Sequence, residues 1–150
     1  MAETLGSLCD KLTIVKLKQW HSNDKLALVS LDQQNINLIE EIDLFLINAT
    51  KGLIDPKILS FSANKIYSKS KNKTREFKGD IGNLFSSLAY INCQIWHEQE
   101  KVYDFEKVPV SEKDRVIKLL AIYNLERNKC IEAIDKCLIT HIGNRIVNSN

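Results

Sequence analysis

Glycine and proline are scarce in this sequence, which has five glycines and two prolines among 150 residues. Because tight turns between short strands rely on both residues, their scarcity excludes a β-sandwich or barrel with many turns. Apolar runs are short, as in Leu26–Val29 and Leu44–Ile47, which excludes a helix that spans a membrane. The first residues, Met-Ala-Glu-Thr, lack the basic and apolar regions of a secretory signal, so none is expected.

Neither sign of charge dominates, since 21 basic residues face 19 acidic ones and the net charge is +2. A charge so close to zero gives little attraction to nucleic acids or acidic membranes, so neither is an expected partner. The apolar fraction of 44% and the charged fraction of 27% are typical of a folded globular chain. Residues 1–150 are therefore expected to form one domain.

The four cysteines show no metal-binding spacing. Cys9, Cys93, Cys130 and Cys137 form no Cys-x-x-Cys pair, although the last two are seven residues apart and share a helix face. We expect free thiols in a cytoplasmic protein, with a disulfide or a metal pair as the alternative. No cofactor motif accompanies them, so neither a cofactor nor a metal is expected.

Apolar residues recur three and four positions apart along most of the chain, and no stretch alternates with period two. This pattern predicts an all-α protein that resembles a four-helix bundle. Asp55 before Pro56 and Ser111 before Asp114 are typical of helix N-termini. We predict long helices at about 4–21, 26–49, 80–105 and 111–140, and a short helix near 56–67.

The chain also repeats itself. Trp20-His21 and Trp96-His97 are 76 residues apart, as are three further matches: Leu5 with Ile81, Gly6 with Gly82, and Leu8 with Leu84. Residues 39–43 match 131–135 at an offset of 92. We interpret this as two duplicated helical hairpins, a first repeat at about 5–48 and a second at about 80–140. The change of offset predicts turns at 22–26 and 106–110, with each arm of the second hairpin about two helical turns longer.

A basic linker at about 50–79 joins the two predicted hairpins. Its most basic stretch, Ser68–Lys78, has no apolar period. A solvated, mobile linker is the simpler interpretation, and a strip that binds phosphates or nucleic acid is the alternative.

A polar layer is expected inside the bundle. Folding the second hairpin about residue 108 puts Asn92 level with Asn124, and the same operation on the first puts Lys16 level with Asp32. Facing amides of this kind can set helix register.

The second hairpin carries the residues most suited to binding. A groove with an arginine fork, a stacking ring and amides is able to clamp a carboxylate, a phosphate or a sugar, although an internal acid is an equally simple partner for the arginine. The candidate binding residues are Asn92, Trp96, His97, Glu100, Asn124, Arg127, Asn128 and Asp135.

Two functions follow from these residues. The first is a cytoplasmic binding or interaction protein that uses this polar face for an anionic small molecule or a protein partner, and a homo-oligomer is compatible with it. The second is an enzyme, with or without a metal, that acts on a phosphorylated or sugar substrate. Di-iron and magnesium pyrophosphohydrolase patterns are each incomplete here, so no catalytic residue is assigned.

The same residues resemble motifs of bacterial all-helical families whose function is unknown. One family carries Asn-x3-Trp-His-x-Glu-Asp, and here Gln99 and Glu100 replace its two acids. Its second motif, Asn-x2-Arg-Asn-x2-Ile-Glu-x-Ile-Asp, is nearly complete from Asn124 to Asp135. A second family has Gly-x-Leu-x-Asp-Lys-Leu-x-Ile, which begins at Gly6 here. The resemblance implies a link to surface polysaccharide assembly.

Overall fold

Helices make up almost the whole of the computed structural model, which describes residues 3–61 and 74–147. The four long helices are α1 (Leu5–His21), α2 (Lys25–Thr50), α3 (Ile81–Tyr103) and α4 (Val110–Val147). Two short 3₁₀ helices lie at Pro56–Ile58 and Phe105–Lys107. No strand forms within the described ranges, and the helices pack against one another, so the prediction of an all-α four-helix bundle is confirmed.

Polar side chains at the N-termini of α1 and α2 explain where these two helices begin. The Thr4 hydroxyl accepts a hydrogen bond from the backbone N–H of Ser7 at the start of α1. Asp24 does the same for Leu26 and Ala27 at the start of α2, so the first hairpin turns within 22–24. The second turn, at 104–109, contains the 3₁₀ helix.

α1 occupies the central position in the bundle. It packs against α2, α3 and α4, while α3 and α4 pack along each other. Apolar side chains from all four helices form one core, together with Ile54 and Leu59 from the segment after α2. The members with no exposed surface are Cys9, Leu88, Ile91, Cys130 and Ile134.

The prediction of a helix near 56–67 is wrong in its described part. Asp55 accepts a hydrogen bond from the Lys57 N–H and starts the helix as expected, but the helix ends at Ile58. Leu59, the next residue, is the C-cap of this short helix and is buried in the core. The predicted residues 62–67 lie outside the described part of the chain.

The helix bounds agree with a longer second hairpin. α1 ends at His21, whereas α3 continues six residues beyond His97. Ile39 lies 14 residues after the start of α2, and Ile131 lies 21 residues after the start of α4. Each arm of the second hairpin is therefore longer by six or seven residues, close to two helical turns. A common origin of the two hairpins stays a prediction.

The two equivalent glycines have different surroundings. A Cβ atom on Gly6 would lie 2.5 Å from the carbonyl oxygen of Ile131, so α1 and α4 touch backbone to backbone at this point. A Cβ atom on Gly82 would meet nothing within 4 Å. Only the first of the two positions needs glycine for packing.

We predict that Gly6→Ala destabilises the fold by roughly 1–3 kcal/mol, because the added methyl group forces α1 away from α4. Gly82→Ala is the matched control and should change the free energy of unfolding by less than about 1 kcal/mol, in the stabilising direction. Urea denaturation followed by circular dichroism measures both. Equal stability of Gly6→Ala and the parent would contradict the close approach.

Candidate functional site

A buried carboxylate, Asp10 of α1, lies at the junction of three helices. The Asn92 side chain of α3 donates its amide hydrogens to Asp10 Oδ1 at 2.9 Å and to Thr13 Oγ1 at 2.6 Å. Arg127 of α4 approaches the same carboxylate, with 3.6 Å between its Nε atom and Asp10 Oδ1. These three side chains therefore tie α1 to both helices of the second hairpin.

The predicted pairing of Asn92 with Asn124 is wrong. Asn124 Nδ2 donates to the Leu120 carbonyl of its own helix at 2.9 Å, and Asn128 Nδ2 donates to the Asn124 carbonyl at 2.8 Å. Height along a hairpin does not determine rotation about the helix axis, and α1 offers Asn92 a carboxylate that Asn124 lacks. In the first hairpin, Asp32 accepts a hydrogen bond from Gln19 at 2.6 Å instead of pairing with Lys16.

Arg127 has an internal partner. Its side chain is 29% exposed, and its Nε atom is buried without a hydrogen bond, facing Asp10. Burial raises the pKa of Asp10, while the Asn92 hydrogen bond and the charges of Arg127 and Lys11 partly offset that effect. Of the two partners that the sequence leaves open for Arg127, the structure supplies the acid.

A second carboxylate, Asp135 of α4, is fully buried beside the start of α1. Its Oδ1 atom accepts a hydrogen bond from the Gly6 N–H at 2.8 Å, and its Oδ2 atom has no partner among the described residues. Burial raises the pKa of Asp135 to about 6, and the Glu132 charge adds to this, while the Gly6 N–H and the Thr4 hydroxyl partly offset it. Asp135 thus anchors α1 and is not available to a ligand.

The aromatic part of the predicted site lies beside the C-terminus of α1, at the turn of the first hairpin. Trp96 stacks on His21 with 4.8 Å between ring centroids, and its Nε1 atom donates to Glu100 Oε1 at 2.8 Å. The Nδ1 atom of His21 is 3.8 Å from the same carboxylate oxygen. Glu100 and His97 are exposed, so they are the two predicted site residues most accessible to a partner.

An ion pair between Arg75 of the linker and the buried Glu126 of α4 was not predicted. The Arg75 backbone N–H donates to Glu126 Oε1 at 2.8 Å, and its guanidinium donates to Oε2 through Nε at 2.9 Å and Nη2 at 2.6 Å. Burial alone would raise the pKa of Glu126, but the hydrogen bonds and charge of Arg75 outweigh it and lower the pKa. The C-terminal end of the basic linker, at Arg75, is therefore fixed to α4. For that end, the interpretation as a mobile linker is corrected.

A groove between α1 and α3 was also missed. It has a volume of about 570 Å³ and is almost entirely apolar. Trp20 lines it and is 86% exposed, although large aromatic side chains usually lie inside a protein. The lining residues are Leu12, Thr13, Lys16, Leu17, Trp20, Phe85, Ala89 and Cys93.

A signal for this groove is present in the sequence. Thr13, Leu17 and Trp20 are spaced four and three residues apart, which marks a second face of α1 beside the core face. The core face of α1 includes Leu8 and Val15. The second face indicates that α1 has a contact surface besides the one that it buries in the bundle core.

Within residues 3–61 and 74–147, no three His, Cys, Asp or Glu side chains lie close enough together to hold a metal ion. No helix in that part of the chain is both long and apolar enough to cross a membrane.

Comparisons of the chain with protein-family models, with curated proteins and with solved structures find no match. The resemblance to bacterial helical families therefore stays an expectation.

We predict that Asn92→Leu costs roughly 1–3 kcal/mol of stability, because it removes a hydrogen bond from a buried carboxylate. Asn124→Leu, whose amide only bonds back to its own helix, should cost less than about 1 kcal/mol. Chemical denaturation of the two variants side by side distinguishes them. A larger loss for Asn124→Leu would show that the amides do meet.

We further predict that Asp135 makes stability depend on pH. Because its pKa rises from 3.8 to about 6 on folding, its contribution is fully present below about pH 4 and is lost as the pH rises through 6. As the pH rises through this range, the parent should lose roughly 3 kcal/mol in free energy of unfolding relative to Asp135→Asn.

The matched control for this measurement is Asp43→Asn, at the equivalent and exposed position of the first hairpin. Its stability should follow the parent across the same pH range, since it changes no buried charge. Parallel curves for the parent and Asp135→Asn would mean that Asp135 is not protonated in the folded protein.

Proposed function

We propose that this protein is a helical interaction protein that binds an amphipathic helix of a partner protein in the groove between α1 and α3. The observation that carries the proposal is the groove itself, an apolar cleft of about 570 Å³ with an exposed tryptophan on its wall. Clefts of this kind between helices accept a partner helix through apolar side chains spaced three and four residues apart.

The groove's chemistry specifies its occupant. Lys16 is its one charged lining residue, and the remaining walls are apolar apart from Thr13 and Cys93. A partner helix with an apolar face and an acidic residue opposite Lys16 therefore fits best. Trp20 is suited to be the main anchor, since buried tryptophans contribute much of the binding energy at interfaces.

Part of the polar face from the sequence analysis extends this surface. His97 lies four residues after Cys93, so it continues the same side of α3 by one helical turn. It is exposed and able to contact the end of a bound helix. Asn92, Arg127 and Asp135 support the groove from behind by holding α1 in place.

The cellular setting is part of the proposal. Cys9, Cys93, Cys130 and Cys137 are free thiols, which fits a reducing cytoplasm. The resemblance to the bacterial families implies that the partner takes part in surface polysaccharide assembly, and this stays an expectation.

We predict that Cys93→Arg blocks the groove. Helical peptides selected by display against the parent protein provide the probe, and their affinity is measured by fluorescence anisotropy. Because Cys93 is exposed, the variant should fold normally, yet it should weaken the selected peptides at least about tenfold by placing a bulky cation in an apolar cleft.

The matched control is Ala121→Arg, an exposed position on α4. It should leave the affinity unchanged. If every selected peptide binds Cys93→Arg as well as the parent, the groove is not the recognition surface and the proposal fails.

A further inference from the structure

The outer face of α2 exposes an apolar stripe that no element within residues 3–61 and 74–147 covers. The core-facing side of this helix, which includes Leu31, Phe45 and Ala49, is buried against the bundle. The opposite side leaves large apolar residues open to solvent, with Leu26 84% exposed. The stripe consists of Leu26, Val29, Ile36, Leu44 and Ile47.

The spacing of the stripe is regular. Its members follow one another at intervals of three, seven, eight and three residues, which are one or two turns of an α-helix. α2 is thus apolar on two opposite sides, as expected of a helix that is covered on both. Isolated exposed apolar residues are common, but a stripe along a whole helix marks an interaction surface.

Two carboxylates interrupt the stripe. Glu40 lies four residues from both Ile36 and Leu44, and Asp43 lies four residues before Ile47. Both are exposed, and neither forms an ion pair within the part of the chain that the structure describes. Any partner that covers the stripe also covers these charges, which is unfavourable unless the partner supplies cations.

The α2 helix of a second copy does not supply them. α2 has one lysine, Lys25, against four carboxylates (Asp32, Glu40, Glu41 and Asp43), a net charge of −3 within a chain of net charge +2. Two such helices side by side would bring like charges together.

We infer that the outer face of α2 binds a basic amphipathic helix of another protein, with leucine-type residues on the stripe and lysine or arginine beside Glu40 and Asp43. This is a second surface, distinct from the groove between α1 and α3. It requires the opposite charge on its partner, because the groove presents Lys16 where α2 presents acids.

Two synthetic helical peptides of about 20 residues test the inference. Both carry leucines spaced three and four residues apart, one with lysine flanks and one with glutamate flanks. Binding is measured by fluorescence anisotropy to full-length protein that carries Cys93→Arg, so that the groove does not contribute. Failure of the groove proposal therefore leaves this measurement valid.

The lysine peptide should bind, and Ile36→Ser should weaken it at least about tenfold. Ile117→Ser, at an exposed isoleucine of α4, is the control and should have no effect. Reversing the charges with Glu40→Lys and Asp43→Lys should transfer the preference to the glutamate peptide. Rising salt should weaken the charged contribution.

Three results would overturn the inference. The first is equal binding of both peptides to the parent stripe, and the second is binding of the lysine peptide that Ile36→Ser does not change. The third is a dimer in sedimentation equilibrium that Ile36→Ser dissociates, which would assign the stripe to a second copy.

Discussion

The contact between the start of α1 and the middle of α4 is the constraint on which the rest of this structure depends. At Gly6 the two backbones touch, and the N–H of the same residue satisfies one oxygen of the buried Asp135. One turn further along α1, Asp10 contacts Asn92 of α3 and Arg127 of α4. Two buried carboxylates are costly, but their hydrogen bonds are made only when α1 is seated in one register and one rotation.

Much of the architecture could be predicted from the sequence, because helix periodicity and capping act locally. The bounds of α1, α2 and α3 agree with the predicted ones within one or two residues, while α4 extends seven residues further. Trp96 and Glu100, both predicted site residues, do lie in contact with each other, but their contact with His21 was not predicted. What failed was the pairing of the two amides. Asn92 and Asn124 were predicted to face each other along their hairpin, but Asn92 points at Asp10 and the Asn124 amide bonds back to its own helix.

The two hairpins share a sequence pattern, but their matching residues differ in surroundings and burial. Trp20 and Trp96 occupy equivalent positions, yet the first is exposed in a groove and the second stacks on a histidine. Asp43 and Asp135 also correspond, and only the latter is buried. The difference between the two aspartates follows from the packing of their helices, since α4 packs against α1 and α3 whereas α2 packs mainly against α1. A repeat in sequence therefore located equivalent residues without showing which copy carries an interaction surface.

The bond between Gly6 and Asp135 joins residues 129 positions apart, so this contact of α1 cannot form before α4 is synthesised. The α1–α2 hairpin closes through a loop of a few residues, whereas seating α1 on α4 requires the whole stretch between these two residues. Until then the apolar side of α1 that carries Leu5, Leu8 and Cys9 lacks the cover that α4 provides. Folding of this protein is expected to proceed hairpin by hairpin, with assembly of the two halves as its slow and aggregation-sensitive step.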